Sequence, residues 1–255
     1  MIQFFRKIRQ KLISAGNSSK YLKYAIGEIV LVMVGILLAL QVTNWNSQRL
    51  DRLREQAILK NLQIDFQNNI ANLETASESF VEAYQASVDL LEIIKGDQDI
   101  NPEEVEHLTD IIVNKTMSFD LINGSINEIF NTGALNLIQD PLLRKQISNW
   151  SFYYSDTEDD IVIYRDYLFS FFIPSLTDKV RMRNMSVPDF FEEDLGLPPI
   201  SKSEFQPDYE KTIRSFEFEN EVYNNALNYM YVLNSYKVFQ KYLTETLEII
   251  DSNIE

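Results

Sequence analysis

From Ala25 to Val42 the chain is apolar at every position except Glu28 and Gln41. Eighteen helical residues rise about 27 Å, close to the ~30 Å hydrocarbon core of a bilayer. Ile29 to Leu40 carries no polar side chain at all. Tyr21 and Tyr24 flank one end and Trp45 the other, as aromatics at a membrane–water interface do. The pattern predicts one transmembrane helix over residues 24–45.

The same helix is expected to run on. No Gly or Pro occurs between Gly35 and Gly96, and Leu50, Leu53, Leu62, Phe66, Ile70 and Leu73 recur mostly at three- and four-residue steps, a helical period. The helix should end near Lys95, with Gly96 as its cap. Asn101-Pro102-Glu103-Glu104 reads as a helix start, with a capping side chain, Pro in the first turn and acids beside it. That helix should reach about Met117. Ser125-Ile126-Asn127-Glu128 reads as a capping box, and Gly133 as the end of a short helix. Leu135 to Ile138 connects to a longer helix that Asp140-Pro141 opens and that should extend to Phe172, with Pro174 as a kink or stop. Residues 175–186 are expected to resume as helix. Residues 187–210 mix Pro188, Pro198, Pro199, Pro207 and Gly196 with acids and predict a long surface loop. From Lys211 onward Val222, Ala226, Met230, Leu233, Tyr236, Phe239, Leu243, Leu247 and Ile250 form one apolar stripe, the mark of a final helix of about 40 residues.

The expected fold is therefore all-α. An N-terminal transmembrane helix continues into a long helix, which packs in an extracytoplasmic antiparallel helical bundle with the last helix against the first. Three regions follow: a basic amphipathic head over 1–23, the span over 24–45, and a helical domain over 46–255. Gly and Pro are too few and too widely spaced for a β-sandwich.

Charge orients this plan. The chain carries −15 overall. Residues 1–23 hold Arg6, Lys7, Arg9, Lys11, Lys20 and Lys23 with no acid, while the remainder carries the excess of Asp and Glu. A basic head before the first apolar run favours a cytoplasmic N-terminus. No small-residue cleavage pattern follows Leu40, so the segment is expected to stay as an uncleaved anchor. The domain beyond it would lie outside the cytoplasm, which in a Gram-negative cell is the periplasm. Met1 to Ile13 suits either a helix on the anionic inner leaflet or a simple orientation signal. An acidic domain repels phosphate backbones, so no nucleic-acid partner is expected. The chain has no cysteine, which excludes disulfides, thiolate metal sites and a Cys nucleophile.

Candidate chemistry is sparse. Glu28, Gly35 and Ala39 fall on one face of the spanning helix. Gly35 and Ala39 make a small-xxx-small pair that allows close helix approach. Glu28 has three readings: it reaches the headgroups or pairs with Lys23, it makes a polar contact in a homo-oligomer, or it carries protons. His107, the single histidine, sits in a predicted helix beside Glu104 and Glu106, as a surface or interhelical side chain does. Asp156, Glu158, Asp159 and Asp160 form a dense acidic run without the alternating oxygens and turn glycine of a calcium loop, so a solvated helix face is expected. Phosphate-binding glycine motifs and a nucleophile elbow are absent. Trp150, Phe152, Tyr153, Tyr154, Tyr164 and Tyr167 crowd one helix. They can serve core packing, a partner surface centred on Trp150, Tyr153 and Tyr154, or a small-ligand pocket. No catalytic residue, cofactor or metal is expected.

The segment KYLKYAIGEIVLVMVGILLALQVTNWN, with the MIQFFRKIRQKL opening, resembles an uncharacterised family of single-pass envelope proteins, a domain of unknown function abundant in Gram-negative gliding-type bacteria. INEIFNTGALNLIQDPLLRKQISNW, residues 126–150, resembles it more weakly. The resemblance implies an inner-membrane protein with a helical C-terminal region, and it implies no activity. The outline of basic head, one span with an acid near its start and an outer domain is also similar to small subunits of proton-driven envelope motors. The expected partners are the lipid bilayer and either a second copy or another envelope protein. An interaction or scaffold role comes first, a ligand-sensing bundle second and a proton-coupled accessory third.

Overall fold

A computed structural model of the chain describes residues 18–116, 119–185, 196 and 198–255. The amphipathic head over Met1–Ile13 and, of the loop expected over 187–210, residues 187–195 and 197 lie outside the described residues; the helix expected to reach about Met117 ends at Asn114. Among the described residues the chain is 83% helical with no strand. It divides into two compact units, residues 1–57 and 58–255. Helix α1, Ser18–Lys95, supplies residues to both and ends where the Gly96 signal predicts.

In the first unit, the run from Ile26 to Val42 keeps its large apolar side chains exposed. Among the described residues one helix is long and apolar enough to cross a membrane, its most apolar stretch having a mean hydropathy of 2.4 and no buried residue.

The second unit is built from sequence signals that mostly act where they stand. α2, Pro102–Asn114, opens with Asn101 Oδ1 accepting from Glu103 N at 3.1 Å. α3, Gly124–Thr132, closes at Gly133 with φ of 69°, a left-handed backbone that glycine adopts without a Cβ penalty. A 3₁₀ turn, Ala134–Leu137, leads into α4, Pro141–Tyr167, where Asp140 Oδ1 accepts from Leu142 N and Leu143 N at 2.7 and 2.9 Å.

Four expectations are corrected. The Ser125–Glu128 capping box does not form. Asn123 occupies the cap position without a side-chain cap bond, and Ser125 N donates instead to Asp65 Oδ2 of α1 at 3.0 Å. A carboxylate at a helix N-terminus complements both the unpaired N–H groups and the dipole. Second, α4 does not stay α-helical to Phe172. Leu168–Phe172 is a π turn in which Ile173 N reaches back to Leu168 O. Pro174 has no N–H and its ring crowds the carbonyl four residues earlier, so the helix widens ahead of it. Third, the helix expected over residues 175–186 does not resume within the described residues 176–185; after one α turn, Ile173–Ser175, they form short 3₁₀ turns at Leu176–Asp178 and Met182–Asn184. Fourth, the final helix is interrupted. A short α5, Tyr209–Ile213, precedes α6, Phe216–Asn253. Ser215 is extended at φ −122° and its Oγ accepts from Phe218 N at 3.2 Å, so a new N-cap breaks a stretch that contains no Gly or Pro.

Within the second unit, α1, α4 and α6 share one core. Phe66 meets Trp150 at 5.3 Å between ring centroids and Phe80 meets Tyr164 at 5.2 Å. Both pairs have the same sequence offset, so α1 and α4 run parallel. α6 runs against both. Its Asp251 accepts from Gln63, and its Gln240 donates to Glu74 further along α1; on α4, Tyr153 stacks on Tyr242 while Tyr164 meets Tyr229. Leu59, Leu62, Phe66, Leu73, Phe80 and Leu90 are all essentially buried on the α1 side, each contributing about 1.5–3 kcal/mol.

A polar row on α1 holds a non-helical segment in place. Asn72 donates to Asp120 O, Asn69 bonds both backbone groups of Ile122, and Asp65 accepts from Ser125 N. Successive members lie three and four residues apart on one helical face, so three side chains pair in turn with Asp120, Ile122 and the first turn of α3.

Candidate functional site

Glu28, Gly35 and Ala39 lie on one face of α1 in the first unit. A Cβ placed on Gly35 would meet no atom within 4 Å. Ala39 is exposed, and its carbonyl accepts from Thr43 Oγ1 at 2.9 Å. The face is thus narrow and open, the condition for close approach of another helix.

The aromatic cluster of α4 divides by helical angle. Trp150, only 4% exposed, packs against Phe66, Phe239 and Tyr242. It belongs to the core, which corrects its expected place on a partner surface. Tyr153 lies flat on Tyr242, with centroids 4.2 Å apart. Tyr154 is half-buried, and burial together with the neighbouring Glu158 carboxylate pushes its hydroxyl up. The outward aromatics are others: Phe152, Phe169 and Phe171. Trp150, Tyr153, Thr157, Tyr164 and Leu168 follow steps of three, four and seven, the inward stripe.

His107 is exposed, as are Asp156, Glu158 and Asp159. No group of three or more metal-ligating side chains comes together among the described residues.

Two polar assemblies were not anticipated. The first surrounds Phe80, whose ring meets Tyr164, Tyr229 and Tyr236 edge-on at 5.2, 5.7 and 5.6 Å. Tyr229 donates to Ile112 O at 2.6 Å, and the Tyr164 hydroxyl lies 2.8 Å from Thr116 Oγ1. Burial pushes the Tyr164 hydroxyl up, the Tyr236 hydroxyl to about 12 and Tyr229 well above its ordinary value. Raised in this way the phenols stay protonated, and Tyr229 is the one that donates, to Ile112 O. Asn225, fully buried on α6, has among the described residues no partner within hydrogen-bond distance for either amide atom. Next to this layer, between α2, α4 and the π turn, is a cavity of about 140 Å³. The spacing of Tyr229 and Tyr236, seven residues apart on one helical stripe, was the available signal.

The second assembly centres on Glu106 of α2. Its Oε1 accepts from Arg181 Nε and from the Tyr209 hydroxyl, both at 2.5 Å, and its Oε2 accepts from Asn184 Nδ2 at 2.9 Å. Arg181 also donates to Phe205 O at 3.3 Å, and Asn184 Oδ1 accepts from Ser203 N at 2.8 Å. One carboxylate thus ties α2 to the 181–184 turn, to Ser203 and Phe205, and to α5. Burial alone would push the Glu106 carboxyl up; hydrogen bonds from Arg181, Tyr209 and Asn184 outweigh it and hold the carboxyl below its ordinary value. The Arg181 guanidinium is raised by the same pairing. A sequence reading sees only one acid among several in α2.

A family model described as a family of unknown function, DUF6090, matches residues 28–165. The chain belongs to the DUF6090 family. No curated protein and no solved structure matches the chain. The DUF6090 segment begins at Glu28 within the apolar run and ends one residue past Tyr164. It therefore contains the α1 row of Asp65, Asn69 and Asn72 together with the segment it grips. The α6 rings of Tyr229, Tyr236 and Phe239, which complete the core, lie beyond it.

Proposed function

We propose that the protein is a single-pass membrane protein of the cell envelope, with a cytoplasmic N-terminus and a periplasmic helical bundle that serves as an interaction or scaffold module without catalysis of its own. The observation that carries this reading is the run from Ile26 to Val42, which exposes large apolar side chains along consecutive helical turns. Such a surface is costly in water and stable in hydrocarbon. The basic residues before it set the orientation.

The chemistry of the second unit supports a binding role. Its buried phenols are held protonated, and Glu106 is locked between Arg181, Tyr209 and Asn184. Outward-facing Phe152, Phe169, Phe171 and Phe216 offer the aromatic contacts that interfaces favour.

The test uses the cysteine-free background. Single Ser19→Cys and Ser203→Cys variants are treated with an impermeant thiol reagent in intact spheroplasts. Labelling at position 203 alone, on a protein of full-length mass, is expected. Labelling at 203 only after lysis would overturn the orientation, and loss of the N-terminal segment from the mature protein would overturn the anchor. Native mass spectrometry from the membrane then reads the partner: a stoichiometric second protein or a second copy supports the scaffold, and a bare monomer contradicts it.

A further inference from the structure

We propose that the cavity between α2, α4 and the π turn is a binding site for a small aromatic carboxylate, its ring in the cavity and its carboxylate on Arg165 and Thr116. This rests on the second unit alone and is independent of the anchor.

Size sets the ligand class first. The cavity measures about 140 Å³, far below the ~300–1,000 Å³ of drug-sized sites. An apolar cavity of about 150 Å³ holds one benzene ring. The lining agrees, since Phe80, Val113, Ile161, Leu168 and Phe169 supply apolar walls.

Polarity sets the second half. The same cavity is lined by Arg165, Thr116 and Tyr164. The positions three and four residues from Arg165 are Ile161, Val162, Leu168 and Phe169, none of which can pair with it. Arg165 is exposed, and among the described residues no carboxylate lies within ion-pair distance of it. A guanidinium is planar and matches a carboxylate in two-point geometry.

The hydroxyl pair completes the arrangement. Tyr164 and Thr116 lie 2.8 Å apart and either can donate. With Tyr164 donating, the Thr116 proton is left for an acceptor in the cavity. The wall is also special in backbone: Leu168 and Phe169 belong to the π turn, a widening often found at functional sites. The net negative charge of the chain does not forbid an anion, because exposed charges are screened beyond about 8 Å at physiological salt.

The experiment uses the full-length protein in lipid nanodiscs, titrated with 4-fluorobenzoate and observed by fluorine NMR. The neutral isostere 4-fluorobenzamide is the control. Saturable binding with a Kd on the order of 0.1–1 mM is expected, as a ligand of about ten non-hydrogen atoms supports. Arg165→Gln should weaken it at least about tenfold without changing the thermal melting curve. Ile161→Trp, which fills the cavity, should abolish binding while 4-fluorobenzamide shows none throughout. Absence of saturable binding to the folded wild type would overturn the proposal. So would binding that Arg165→Gln or Ile161→Trp leaves undiminished, or equal binding of the amide.

Discussion

Asn69 grips the backbone of Ile122 from both sides. Its Nδ2 donates to Ile122 O at 2.7 Å and its Oδ1 accepts from Ile122 N at 2.8 Å. Asn69 is fully buried, so the amide satisfies two backbone groups that neither helix nor strand serves. Replacing it with Leu keeps the volume and strands both groups. Each buried unpartnered group costs about 1–3 kcal/mol. Asn69→Leu is therefore expected to lower the melting temperature of the second unit and to raise hydrogen exchange at Ile122 and Ser125 most. Unchanged exchange there would show that the segment is held by packing alone.

Tyr229 makes a similar repair at the end of α2. Ile112 is among the last residues of that helix, and the final carbonyls of a helix have no partner within it. The Tyr229 hydroxyl donates to Ile112 O at 2.6 Å, joining α6 to α2. Tyr229→Phe removes the donor and leaves the ring packing on Phe80 and Tyr164. A loss of about 1–3 kcal/mol is expected in urea denaturation, with little change in the near-UV spectrum of the aromatic core. A neutral substitution would mean that water or another donor replaces the phenol.

These bonds explain what the sequence reveals and what it hides. Asn101-Pro102, Asp140-Pro141 and Gly133 act on neighbours within four residues, so their signals predict the observed ends of α2, α3 and α4. The Ser125–Glu128 box looks equally local, yet Asp65, sixty positions earlier, takes over its role. The helix of Trp150 carries aromatics all round, so its sequence alone leaves core and surface both open. Only the register with Phe66 and Phe239 decides which of them turn inward. Glu106 and Arg181 lie far apart in the chain, and no spacing rule connects them. The Ser215 cap was visible as a residue type, but competition between a cap and a continuing helix is settled by where Phe218 is buried.

The open face at Gly35 makes a separate prediction for the first unit. A Cβ there meets no atom within 4 Å, so bulk is tolerated within one chain. If a second helix approaches along Gly35 and Ala39, bulk is not tolerated between chains. Gly35→Ile with Ala39→Ile is expected to leave insertion and helicity intact and to abolish self-association in native mass spectrometry. Glu28→Gln should preserve the assembly when packing forms the seam. An oligomer that survives the double replacement would place its contacts elsewhere.

The Glu106 assembly ties stability to pH, with a sign that follows from its partners. Arg181, Tyr209 and Asn184 all donate to the carboxylate, so the folded chain prefers it ionised and its proton affinity is lowered from the ordinary 4.5. A carboxyl of lowered proton affinity stabilises the fold above its unfolded value and loses that contribution as pH falls through its folded value. The assembly is accordingly intact at pH 7 and weakens below about pH 4.5, when protonation leaves Arg181 without its counter-charge. Arg181→Ala should cost about 3–5 kcal/mol at pH 7, because it leaves a buried carboxylate unpaired. Glu106→Gln keeps the shape and removes the charge, so its loss should be smaller at pH 7 and should shrink towards pH 3. Urea denaturation of wild type and Glu106→Gln at pH 7, 5, 4 and 3 compares the two curves. Convergence at low pH supports the carboxylate as the tie between α2, the 181–184 turn and α5. A constant gap across the range would assign the effect of the substitution to packing instead.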